Sequence, residues 1–429
     1  MILGVYLGIF KTYDIRGVYP EELDSNTALR IGRAIGSISK GKSIFLNIDT
    51  RKGSKAIKKD FAQGLVQSGA RVYDLGMGPI MVSAVASYQN SAYGVCLTAS
   101  HNPAKYTGII TVRSGVTLEP EEIKKEFDCG RFPNRKGKMS NYDYSTRYID
   151  FITKNIENIG LRAGIDSMGG ATTFMAKDVA ERIGVRPFVL HAGTSETFFG
   201  KHPEPKEENG REISKLVINK GLDFGAQFDA DGDRVAFYDE KGKFIEPVIS
   251  GLILMKFNGL KRVLANVSCS RVIEKYAKVK YSKVGHRFME RDLVKGKYDM
   301  GIESSSHFYF GKYHPFSDGL LSMALFSKAV LESGEKVSEM VDEFPKLHYV
   351  SQSLHFKNDE ERSAAMKKIA ARMEKFESVD RLDGYKATFE DGFMLFRESG
   401  TEPVIRVAYE GDDEKALKRI ANLVKKTSK

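Results

Sequence analysis

One local pattern recurs three times in residues 43–293 and restricts the fold more than any other feature. Each copy reads as an apolar strand, a polar turn, an amphipathic helix and a second apolar strand, and the copies cover residues 43–76, 161–190 and 261–293. A helix between two apolar strands is typical of a parallel sheet covered by helices. The copies lie too far apart for a solenoid. The sequence therefore predicts three similar mixed α/β domains in a row.

The last part of the chain follows a different pattern. Asp391-Gly392 separates two β-rich runs, which is a strong hairpin signal, and a further strand and a final helix follow. This predicts a smaller antiparallel α+β domain. A length of 429 residues allows about three or four domains, and the expected limits are 1–140, 141–245, 246–348 and 349–429. Polar, charged stretches near 133–147 and 351–364 are interpreted as linkers.

Composition and charge limit the classes of partner. The net charge of +10 suits an anionic partner, but the basic residues are spread along the chain and form no nucleic-acid-binding module. No nucleic-acid partner is therefore expected. Three cysteines, Cys96, Cys129 and Cys269, are too few and too widely spaced for a disulfide framework or a zinc site. This usage indicates a reducing compartment.

The apolar N-terminal segment "MILGVYLGIF" does not read as a targeting signal. It has neither the basic n-region nor the small-residue cleavage site of a signal peptide. No window of the chain approaches the roughly 18 apolar residues that a spanning helix needs. We therefore expect a cytoplasmic protein without a membrane partner.

The segment "VCLTASHNPAKYTG" (95–108) places Ser100 directly after an apolar run. Asn102-Pro103 is turn chemistry, because proline fixes its own φ and pushes the preceding residue out of the helical region. Ser100 should therefore lie on a tight loop at the carboxyl end of a buried strand, where open α/β sheets bind their ligands. From these residues alone, Ser100 is either a nucleophile or a turn former, since serine is common in turns for local reasons.

Three aspartates follow another apolar strand in "GAQFDADGDRVAFYDE", namely Asp229, Asp231 and Asp233. Carboxylates that converge on one loop repel one another unless a divalent cation joins them, and hard oxygen ligands favour Mg²⁺ or Ca²⁺. An EF-hand would need glycine where Arg234 stands. A magnesium site is the preferred interpretation, and a solvated acidic turn is the alternative. Arg234 at the rim suits a phosphate, which a guanidinium binds bidentately.

The segment "FRESGTEPVIRV" is a second candidate anion site. Arg397, Ser399, Gly400 and Thr401 offer a guanidinium, two hydroxyls and a glycine-bent backbone. The N–H groups of such a backbone can form an anion-binding nest. An ordinary loop is the alternative for the same residues.

Two other segments carry weaker signals. In "DMGIESSSHFYF", Glu303 and Ser305 are suited to sugar hydroxyls, and His307 to a hydroxyl or a phosphate. Taken by themselves, these residues favour a serine-rich turn. In "KTYDIRGVYP", Arg16 is a candidate for an anion, although an isolated arginine is more often a surface ion pair than a catalytic group.

Taken together and in this order, the four loops resemble those of the phosphomannomutases and phosphoglucomutases of the α-D-phosphohexomutase superfamily. "TASHNP" resembles the phosphoserine loop, "DADGDR" the metal loop, "GIESSSH" the sugar-specificity loop and "RESGTEP" the phosphate-binding loop. The resemblance runs from about Phe10 to the C-terminus. It implies a four-domain enzyme with one loop per domain meeting in a central cleft.

The resemblance implies an isomerase, an intramolecular phosphotransferase that interconverts hexose 1-phosphates and hexose 6-phosphates. Ser100 would be phosphorylated in the resting enzyme and would give its phosphoryl group to the sugar phosphate. The product of that step is a hexose 1,6-bisphosphate, which acts as intermediate and activator. It reorients, and its other phosphate returns to Ser100. Sugar phosphates are the implied partners, and we expect a monomer or a small homo-oligomer.

The same resemblance assigns roles to the residues of the four loops. Mg²⁺ would be held by Ser100, Asp229, Asp231 and Asp233. The implied catalytic residues are Ser100, His101, Arg16 and Lys105; those that bind substrate are Arg234, His286 (in "KVGH"), Glu303, Ser305 and His307; those that clamp the distal phosphate are Arg397, Ser399, Gly400 and Thr401. Glu303 and Ser305 would bind the 3- and 4-hydroxyls, which stay comparable when the sugar turns round.

Three positions depart from the family pattern. A family lysine beyond the serine loop, a candidate proton-transfer group, is replaced by Ile110, so Lys105 or His101 is the hypothetical substitute. A second family lysine, in a turn of the third domain, is matched by Ser268. Ser306 stands where the sugar loop usually has glycine.

Mannose and glucose phosphates are the leading substrates, and three alternatives remain. Phosphoglucosamine mutase is the nearest, although its sugar loop usually carries glutamine where this chain has Ser304. A phosphatase that loses phospho-Ser100 to water is disfavoured by a closed, dry cleft. A non-catalytic sugar-phosphate-binding protein would be favoured if Ser100 or an acidic ligand were replaced, and these residues are intact.

Overall fold

The structure is a computed structural model that describes residues 8–400 and 402–429. Thr401 and residues 1–7, which make up most of the apolar N-terminal segment, lie outside the described residues. Within the described part, four β-sheets follow one another in sequence, three of them mixed and the last antiparallel. This confirms the fold class expected from the sequence.

The strands are grouped by sheet. The first sheet contains β1 (Ile15–Val18), β2 (Ser43–Ile48), β3 (Arg71–Met77), β4 (Tyr93–Leu97), β5 (Tyr106–Arg113), β6 (Val116–Thr117) and β7 (Lys138–Asn141). The second contains β8 (Arg162–Asp166), β9 (Arg186–Leu190), β10 (Phe224–Phe228), β11 (Val235–Tyr238) and β12 (Phe244–Ile245). The third contains β13 (Arg262–Asn266), β14 (Lys278–Ser282), β15 (Met300–Ile302), β16 (Phe308–Phe310) and β17 (His314–Ser317). The fourth contains β18 (His348–His355), β19 (Val379–Asp380), β20 (Tyr385–Phe389), β21 (Gly392–Glu398) and β22 (Val404–Gly411).

Helices connect and cover these sheets. The α-helices are α1 (Ser25–Ser39), α2 (Lys52–Gln67), α3 (Ile80–Gln89), α4 (Pro120–Cys129), α5 (Ser145–Ile152), α6 (Ala176–Arg182), α7 (Arg211–Lys220), α8 (Pro247–Phe257), α9 (His286–Gly296), α10 (Gly319–Ser333), α11 (Val337–Asp342), α12 (Asp359–Met373) and α13 (Glu414–Ser428). Short 3-10 helices occur at Ala171–Phe174, Phe198–Gly200, Glu207–Asn209 and Arg271–Lys275. Among residues 8–400 and 402–429, no helix combines the length and the apolar character needed to cross a membrane.

The first three sheets share one construction, with parallel strands on one side and an antiparallel hairpin on the other. Their strand orders are β1-β5-β4-β2-β3-β7 (with β6 beside β5), β12-β11-β10-β8-β9 and β14-β13-β15-β16-β17. The parallel neighbours are β4-β2-β3-β7, β10-β8-β9 and β14-β13-β15. In each sheet the chain leaves a parallel strand (β4, β10 or β15) and returns in an antiparallel one.

The fourth sheet is antiparallel throughout, in the order β18-β22-β21-β20-β19. Its first hairpin forms where the sequence predicts it, since Phe389 pairs with Gly392 across the turn between β20 and β21. Met373 of α12 and Ile420 of α13 pack with Met394 of β21 in a core that belongs to this sheet.

A continuous hydrophobic core joins the first three sheets. It contains Phe45 of β2, Phe237 of β11, Phe308 of β16 and Phe326 of α10. The rings of Phe237 and Phe326 stack with their centroids 4.0 Å apart. Shared packing therefore fixes the loops of these three sheets relative to one another.

The fourth sheet is attached to the third through polar contacts around the turn that follows β13. Lys386 Nζ donates to the Val267 carbonyl (3.0 Å), and the Tyr349 hydroxyl donates to the Ser268 carbonyl (2.8 Å). Arg271 donates to backbone carbonyls of the fourth sheet, including that of Phe389 (2.8 Å). This turn, which carries one of the departures from the family pattern, is thus a structural joint.

Two local expectations are wrong. The helix expected between the strands of residues 261–293 is a short 3-10 helix, Arg271–Lys275, because residues 267–277 alone connect the adjacent parallel strands β13 and β14. The stretches interpreted as linkers instead hold β7 and most of β18. Both are edge strands. Edge strands with solvated side chains carry the polar residues that also typify linkers.

Candidate active site

The four polar loops occupy one topological position. Each connects two antiparallel neighbours: residues 98–105 join β4 to β5, 229–234 join β10 to β11, 303–307 join β15 to β16, and 399–403 join β21 to β22. The first three loops leave the carboxyl end of a parallel strand, which is the edge where open α/β sheets bind their ligands. Contacts among the first three loops bring them into one site, and the fourth loop contacts the N-terminal segment.

Ser100 has the left-handed backbone conformation, with φ +48°. Its side chain is buried, and its Oγ lies 3.3 Å from Asp229 Oδ2 and 3.3 Å from His101 Nδ1. The Ser100 N–H donates to the Thr98 hydroxyl (3.0 Å), which in turn donates to Asp231 Oδ2 (3.0 Å). The Ser100 hydroxyl is therefore directed at the acidic loop rather than at solvent.

Asp229, Asp231 and Asp233 are buried, and one oxygen from each lies within 4.8 Å of the others. Asp229 Oδ1 accepts from the backbone N–H groups of Gly232 (2.8 Å) and Arg234 (3.3 Å). Burial, together with the neighbouring carboxylates, raises the pKa of Asp229 well above its usual range and that of Asp231 to about 7. By themselves, these carboxyl groups favour protonation.

The acidic loop fits a divalent cation. Asp231 Oδ1 and both carboxylate oxygens of Asp233 are buried without a hydrogen-bond partner within the described residues. A hard cation stabilises converging carboxylates, and oxygen is its preferred ligand. The three aspartates, with the adjacent Ser100 oxygen, form a donor set suited to Mg²⁺.

Arg234 connects three segments from a buried position. Its Nη2 donates to His101 Nδ1 (2.8 Å), its Nε to His307 Nε2 (3.2 Å) and its Nη1 to Glu204 Oε1 (3.4 Å). A guanidinium only donates, so His101 Nδ1 is an unprotonated acceptor. Burial and the charge of Arg234 hold the pKa of His101 well below its usual range. His101 is therefore uncharged at pH 7, with its proton on Nε2.

His286 begins α9 and lies against the acidic loop. Its Nδ1 is 3.5 Å from Asp233 Oδ2, and its ring centroid is 5.0 Å from that of His307. Burial lowers the pKa of His286 to about 4. Burial would raise the pKa of Asp233, but the neighbouring imidazoles and Arg234 hold it below its usual range. Asp233 is thus kept as a carboxylate, while the other two aspartates favour protonation.

Glu303 is buried and oriented by protein donors. Its Oε1 accepts from Asn266 Nδ2 (3.0 Å) and the Gly285 N–H (3.2 Å), and its Oε2 accepts from the Tyr309 hydroxyl (2.8 Å). Burial opposes ionisation, but His307 and these donors outweigh it, so the pKa of Glu303 lies below its usual value. Glu303 is therefore a carboxylate fixed in place by its neighbours.

The third loop is joined directly to the second. Arg234 and His307 pair as an isolated antiparallel bridge, and the Val235 N–H donates to the Ser306 carbonyl (3.3 Å). Ser306 has φ +68°, a conformation that favours glycine. Ser305 Oγ lies 2.8 Å from His307 Nδ1. The expected sugar-binding side chains and the acidic loop are thus parts of one hydrogen-bonded unit.

The fourth loop begins with Arg397 and Ser399. Arg397 Nε lies 3.7 Å from Asp383 Oδ2. The Ser399 N–H donates to the Val404 carbonyl (2.9 Å), which closes the loop. The remaining expected phosphate ligand of this loop, Thr401, lies outside the described residues.

The N-terminal segment reaches the third and fourth loops. The Thr12 hydroxyl donates to the Gly400 carbonyl (2.6 Å). The Tyr13 ring lies against Gly285, where an added Cβ would be 2.7 Å from a ring carbon. Burial raises the pKa of Tyr13, although the nearby Arg397 opposes the shift. The first and fourth sheets are therefore in contact beside the candidate phosphate loop.

Arg16 and Lys105 differ in their relation to the serine loop. Arg16 Nη1 donates to Asn102 Oδ1 (2.9 Å). The Lys105 side chain is exposed, with its Nζ 5.7 Å from the Tyr106 ring centroid. The first three loops and α9 bring together Ser100, His101, Asp229, Asp231, Asp233, Arg234, His286, Glu303, Ser305 and His307. Lys105 stays outside this group.

Three residues at the site were not singled out from the sequence: Tyr13, Arg51 and Glu204. Arg51 donates to carbonyls of the serine loop, and its place directly after an apolar strand is a signal that could have found it. Glu204 contacts Arg234 from an irregular segment of charged and aromatic residues, where nothing local marks it. Tyr13 reaches the site through contacts that are distant in sequence.

Known families match the chain from one end of the described residues to the other. The phosphoglucomutase/phosphomannomutase profiles match in order: alpha/beta/alpha domain I at residues 8–130, domain II at 146–242, domain III at 250–348 and the C-terminal domain at 356–427.

Curated relatives of full length carry related names. A "Phosphoglucomutase/phosphomannomutase" of Thermococcus kodakarensis is 29% identical over 445 residues, with 97% of each chain covered. A "Phosphomannomutase" of Methanocaldococcus jannaschii is 30% identical, with 98% of each chain covered. A "Probable phosphoglucosamine mutase" of Methanopyrus kandleri is also 30% identical, with 97% of this chain and 96% of that one covered.

Solved structures agree with these matches. A phosphoglucomutase/phosphomannomutase family protein from Burkholderia thailandensis superposes with a TM-score of 0.88 at 26% identity, covering 98% of this chain and 96% of that one. An Aspergillus fumigatus N-acetylphosphoglucosamine mutase, solved with GlcNAc-6P and magnesium, has a TM-score of 0.59 at 12% identity over 98% of this chain and 96% of that one, and so shares the fold. With its first three loops joined in one site and every family domain matched in order, the chain belongs to the phosphoglucomutase/phosphomannomutase family.

Proposed function

We propose that the chain is a phosphohexomutase, an intramolecular phosphotransferase that interconverts the 1-phosphates and 6-phosphates of mannose and glucose. The observation that carries the proposal is the 3.3 Å contact between the buried Ser100 Oγ and Asp229 Oδ2. A hydroxyl at the edge of a divalent-cation site, with Arg234 nearby, is equipped to accept and donate a phosphoryl group. Hexose 1,6-bisphosphate is the proposed intermediate and activator.

In the proposed cycle, phospho-Ser100 transfers its phosphoryl group to the free hydroxyl of a sugar monophosphate. The bond between phosphorus and Ser100 Oγ breaks, a bond between phosphorus and the sugar oxygen forms, and the sugar hydroxyl gives up its proton. After the bisphosphate turns round, its other phosphoryl group returns to Ser100, and the released sugar oxygen takes up a proton. The sugar then carries on its second oxygen the phosphoryl group that came from Ser100, and its original group stands on Ser100, so no co-reactant is consumed.

Charge control falls to the second loop. Asp229, Asp231 and Asp233 would hold Mg²⁺ with an oxygen of phospho-Ser100, and the bound ion would neutralise negative charge on the phosphoryl group. Arg234 supplies a guanidinium beside Ser100, since it already contacts His101 Nδ1 at 2.8 Å. Charge-assisted hydrogen bonds of this type suit phosphate oxygens.

Substrate recognition is distributed over the remaining loops. Glu303 accepts a sugar hydroxyl with the one carboxylate lone pair, on Oε2, that Asn266, Gly285 and Tyr309 leave open. The other proposed ligands of the sugar and of its distal phosphate are Ser305, His307, His286, Arg397, Ser399, Gly400 and Thr401. A site that tests the features common to both orientations admits the sugar before and after it turns round.

His101 is the better placed of the two proposed proton-transfer groups. Its Nδ1 lies 3.3 Å from Ser100 Oγ. Because the Nδ1 lone pair accepts from Arg234 Nη2 in this structure, proton uptake at that nitrogen requires this hydrogen bond to break. Lys105 keeps its ammonium in solvent. Arg16 of β1 donates to Asn102 and so contributes charge beside the same loop.

The expected domain limits, 1–140, 141–245, 246–348 and 349–429, form part of the proposal. The four sheets and the four successive family matches support this division. Limited proteolysis followed by mass spectrometry tests the border at 245/246, which lies between β12 and α8 and should be cleaved before any sheet. The other two borders fall within β7 and β18, where cleavage should be slower.

Phosphoglucosamine is the alternative substrate, and the name of the Methanopyrus kandleri relative favours including it. Phosphorus NMR of the purified protein with Mg²⁺ and a trace of glucose 1,6-bisphosphate distinguishes the candidates. Mannose, glucose and glucosamine 1-phosphates are supplied in separate tubes. Growth of a 6-phosphate signal is expected with mannose and glucose, and the relative rates identify the preferred sugar.

Ser100→Ala is the matched control for this experiment. It should stay folded, because Ser100 lies on a loop, and should produce no 6-phosphate. Full turnover by this variant would contradict the phosphoserine scheme. Accumulation of inorganic phosphate alone would identify a phosphatase, and silence of the folded, Mg²⁺-loaded wild type with all three sugars would contradict the mutase proposal.

A further inference from the structure

We propose that Arg51 is the positioning residue that holds the Ser100 loop in its reactive conformation. Arg51 follows β2, outside the four loops, and has no assigned role in binding the sugar or its phosphates. The inference rests on the proposed function, because it concerns the hydroxyl through which the phosphoryl group would pass. It adds a fifth segment, the turn after β2, to the four loops of the site.

The hydrogen bonds of Arg51 are the first argument. The guanidinium has five N–H donors in a fixed planar array. Nε donates to Asp49 Oδ2 (3.0 Å), and the two Nη atoms donate to four carbonyls of the serine loop, those of Ser100, Asn102 (2.6 Å), Pro103 (2.8 Å) and Tyr106 (3.2 Å). Every donor is therefore used, and one side chain fixes the whole turn from Ser100 to Tyr106.

The anchoring of Arg51 itself is the second argument. The side chains of Arg51 and Asp49 are fully buried. The Asp49 N–H donates to the Leu97 carbonyl (3.0 Å), and Asp49 Oδ1 accepts from the Arg51 N–H (3.0 Å). The Phe198 ring lies 4.7 Å from the guanidinium carbon. Arg51 is thus held by β4 and by a residue from the second sheet unit, so it is a rigid reference point for the loop.

The conformation of Ser100 is the third argument. A non-glycine residue in the left-handed region is strained, so φ +48° at Ser100 needs support from its surroundings. The bond from Arg51 to the Ser100 carbonyl fixes the orientation of the following peptide and supplies that support. The same conformation directs Oγ toward Asp229 Oδ2. Loss of Arg51 therefore allows the hydroxyl to leave the position from which transfer occurs.

Lysine cannot replace these contacts, because its ammonium has three donors and no planar array. Arg51→Lys keeps the charge and serves as the conservative variant, whereas Arg51→Gln removes charge and most donors. Arg162→Gln is the matched control. Arg162 also donates to backbone carbonyls, those of Lys220 (2.8 Å) and Gly221 (3.2 Å), but at the end of α7 and away from the serine loop.

The test separates chemistry from binding. Rapid-quench experiments measure the single-turnover transfer from phosphorylated Ser100 to glucose 1-phosphate, and calorimetry measures the Kd of glucose 1-phosphate in Mg²⁺. Misplacement of a reacting group by about 1 Å costs on the order of 100-fold in rate. We expect a loss of about that size in Arg51→Gln, a smaller loss in Arg51→Lys, and Kd values within about threefold of wild type. Arg162→Gln should transfer at the wild-type rate.

Hydrogen exchange provides a readout that does not depend on the reaction. Amides of residues 98–106 should exchange at least about tenfold faster in the Arg51 variants, as expected for a loop that has lost its hydrogen bonds, and peptides covering residues 229–234 should not. If Arg51→Gln does not fold, Arg51→Lys carries both measurements.

Two outcomes overturn the positioning role. One is a folded Arg51 variant whose transfer rate and loop hydrogen-exchange rates equal those of the wild type. The other is an increase in Kd as large as the fall in the transfer rate. Failure of the proposed function looks different. In that case the wild type itself forms no phosphoserine and no product, while the exchange experiment still reports whether Arg51 holds the loop.

Discussion

Glu290 of α9 accepts two hydrogen bonds from Thr117 of β6, one from the backbone N–H (2.6 Å) and one from the hydroxyl (3.0 Å). Both residues are buried, and the contact joins the third sheet unit to the first. α9 begins with His286, which lies against Asp233 in the candidate site. The Glu290–Thr117 contact therefore fixes the helix that carries an active-site imidazole.

The stability of the protein should depend on pH through Glu290. Burial raises the pKa of Glu290 from 4.5 to about 8, so the folded state keeps a proton that the unfolded state loses. Its stabilising contribution is complete below pH 4.5 and falls as the pH rises toward 8. The slope approaches about 1.4 kcal/mol per pH unit in that window. Urea unfolding of the wild type and of Glu290→Gln at several pH values measures this slope, as the difference in unfolding free energy between the two proteins.

Glutamine preserves the shape of Glu290 and its pairing with Thr117 but does not titrate. Glu119→Gln is the control, because Glu119 is an exposed residue that pairs with Arg287 near the same contact, and exposed pairs contribute little. Identical pH slopes in wild type and Glu290→Gln would contradict a protonated, buried Glu290.

Removal of the backbone strain at Ser306 should leave the protein close to wild type. Glycine relieves a left-handed conformation that costs about 1–2 kcal/mol, but it also increases the entropy of the unfolded chain by about 0.5–1 kcal/mol. We expect Ser306→Gly to change the free energy of unfolding by less than about 1 kcal/mol. Ser306→Val should lose about 2 kcal/mol or more, because β-branched residues avoid positive φ. Equal stability of the two variants in thermal denaturation would argue against the φ of +68°.

Mg²⁺ affinity should increase with pH. The pKa of Asp231 is raised to about 7, and that of Asp229 is also raised, so protons compete with the cation. Binding should release protons and tighten from pH 6 toward pH 8. Calorimetry in two buffers of different ionisation enthalpy counts these protons. Asp231→Asn should bind Mg²⁺ more weakly, and a wild-type affinity that is constant across this pH range would contradict the shifted carboxyl groups.

Lys105→Ala should keep turnover within about twofold of wild type, since a solvated lysine distant from the reacting atoms offers little transition-state stabilisation. His101→Asn should lower kcat by about 100-fold or more, the usual contribution of a positioned proton-transfer group. Steady-state kinetics in the mutase direction compares the two. A large loss confined to Lys105→Ala would transfer the acid–base role to that lysine.

The features that the sequence predicts are those written in short stretches of chain. The three aspartates alternate after an apolar strand, and Ser100 precedes Asn102-Pro103. In both segments the end of the strand, the loop and the reactive side chains can be predicted from adjacent residues. The strand pattern that recurs three times also implies that each of these loops lies at the carboxyl edge of its own sheet. The hairpin at Asp391-Gly392 is predictable for the same local reason.

The remaining features depend on contacts between distant residues. Arg51 acquires its function from carbonyls about 50 positions away, and Glu204 from Arg234. The charge of Glu290 in "HRFMERDLVKG" predicts an exposed side chain, but Glu290 is buried, as is the preceding Met289. The polar edge strands β7 and β18 look like linkers because half of what stabilises a strand, its partner, lies elsewhere in the chain.

The bridge between Arg234 and His307 joins the backbone of the acidic loop to that of the sugar loop, which limits how either loop can be exchanged. Under the proposed function, the loop that reads the sugar lies on one side of this bridge and the loop that serves phosphoryl transfer lies on the other, with one isolated backbone bridge between them. If the sugar loop alone were replaced by that of a relative with a different sugar preference, its contact with the acidic loop would also change. Such a replacement would slow phosphoryl transfer as well as alter the choice of sugar. A change of sugar specificity that keeps the chemistry should therefore exchange residues 229–235 and 301–309 together.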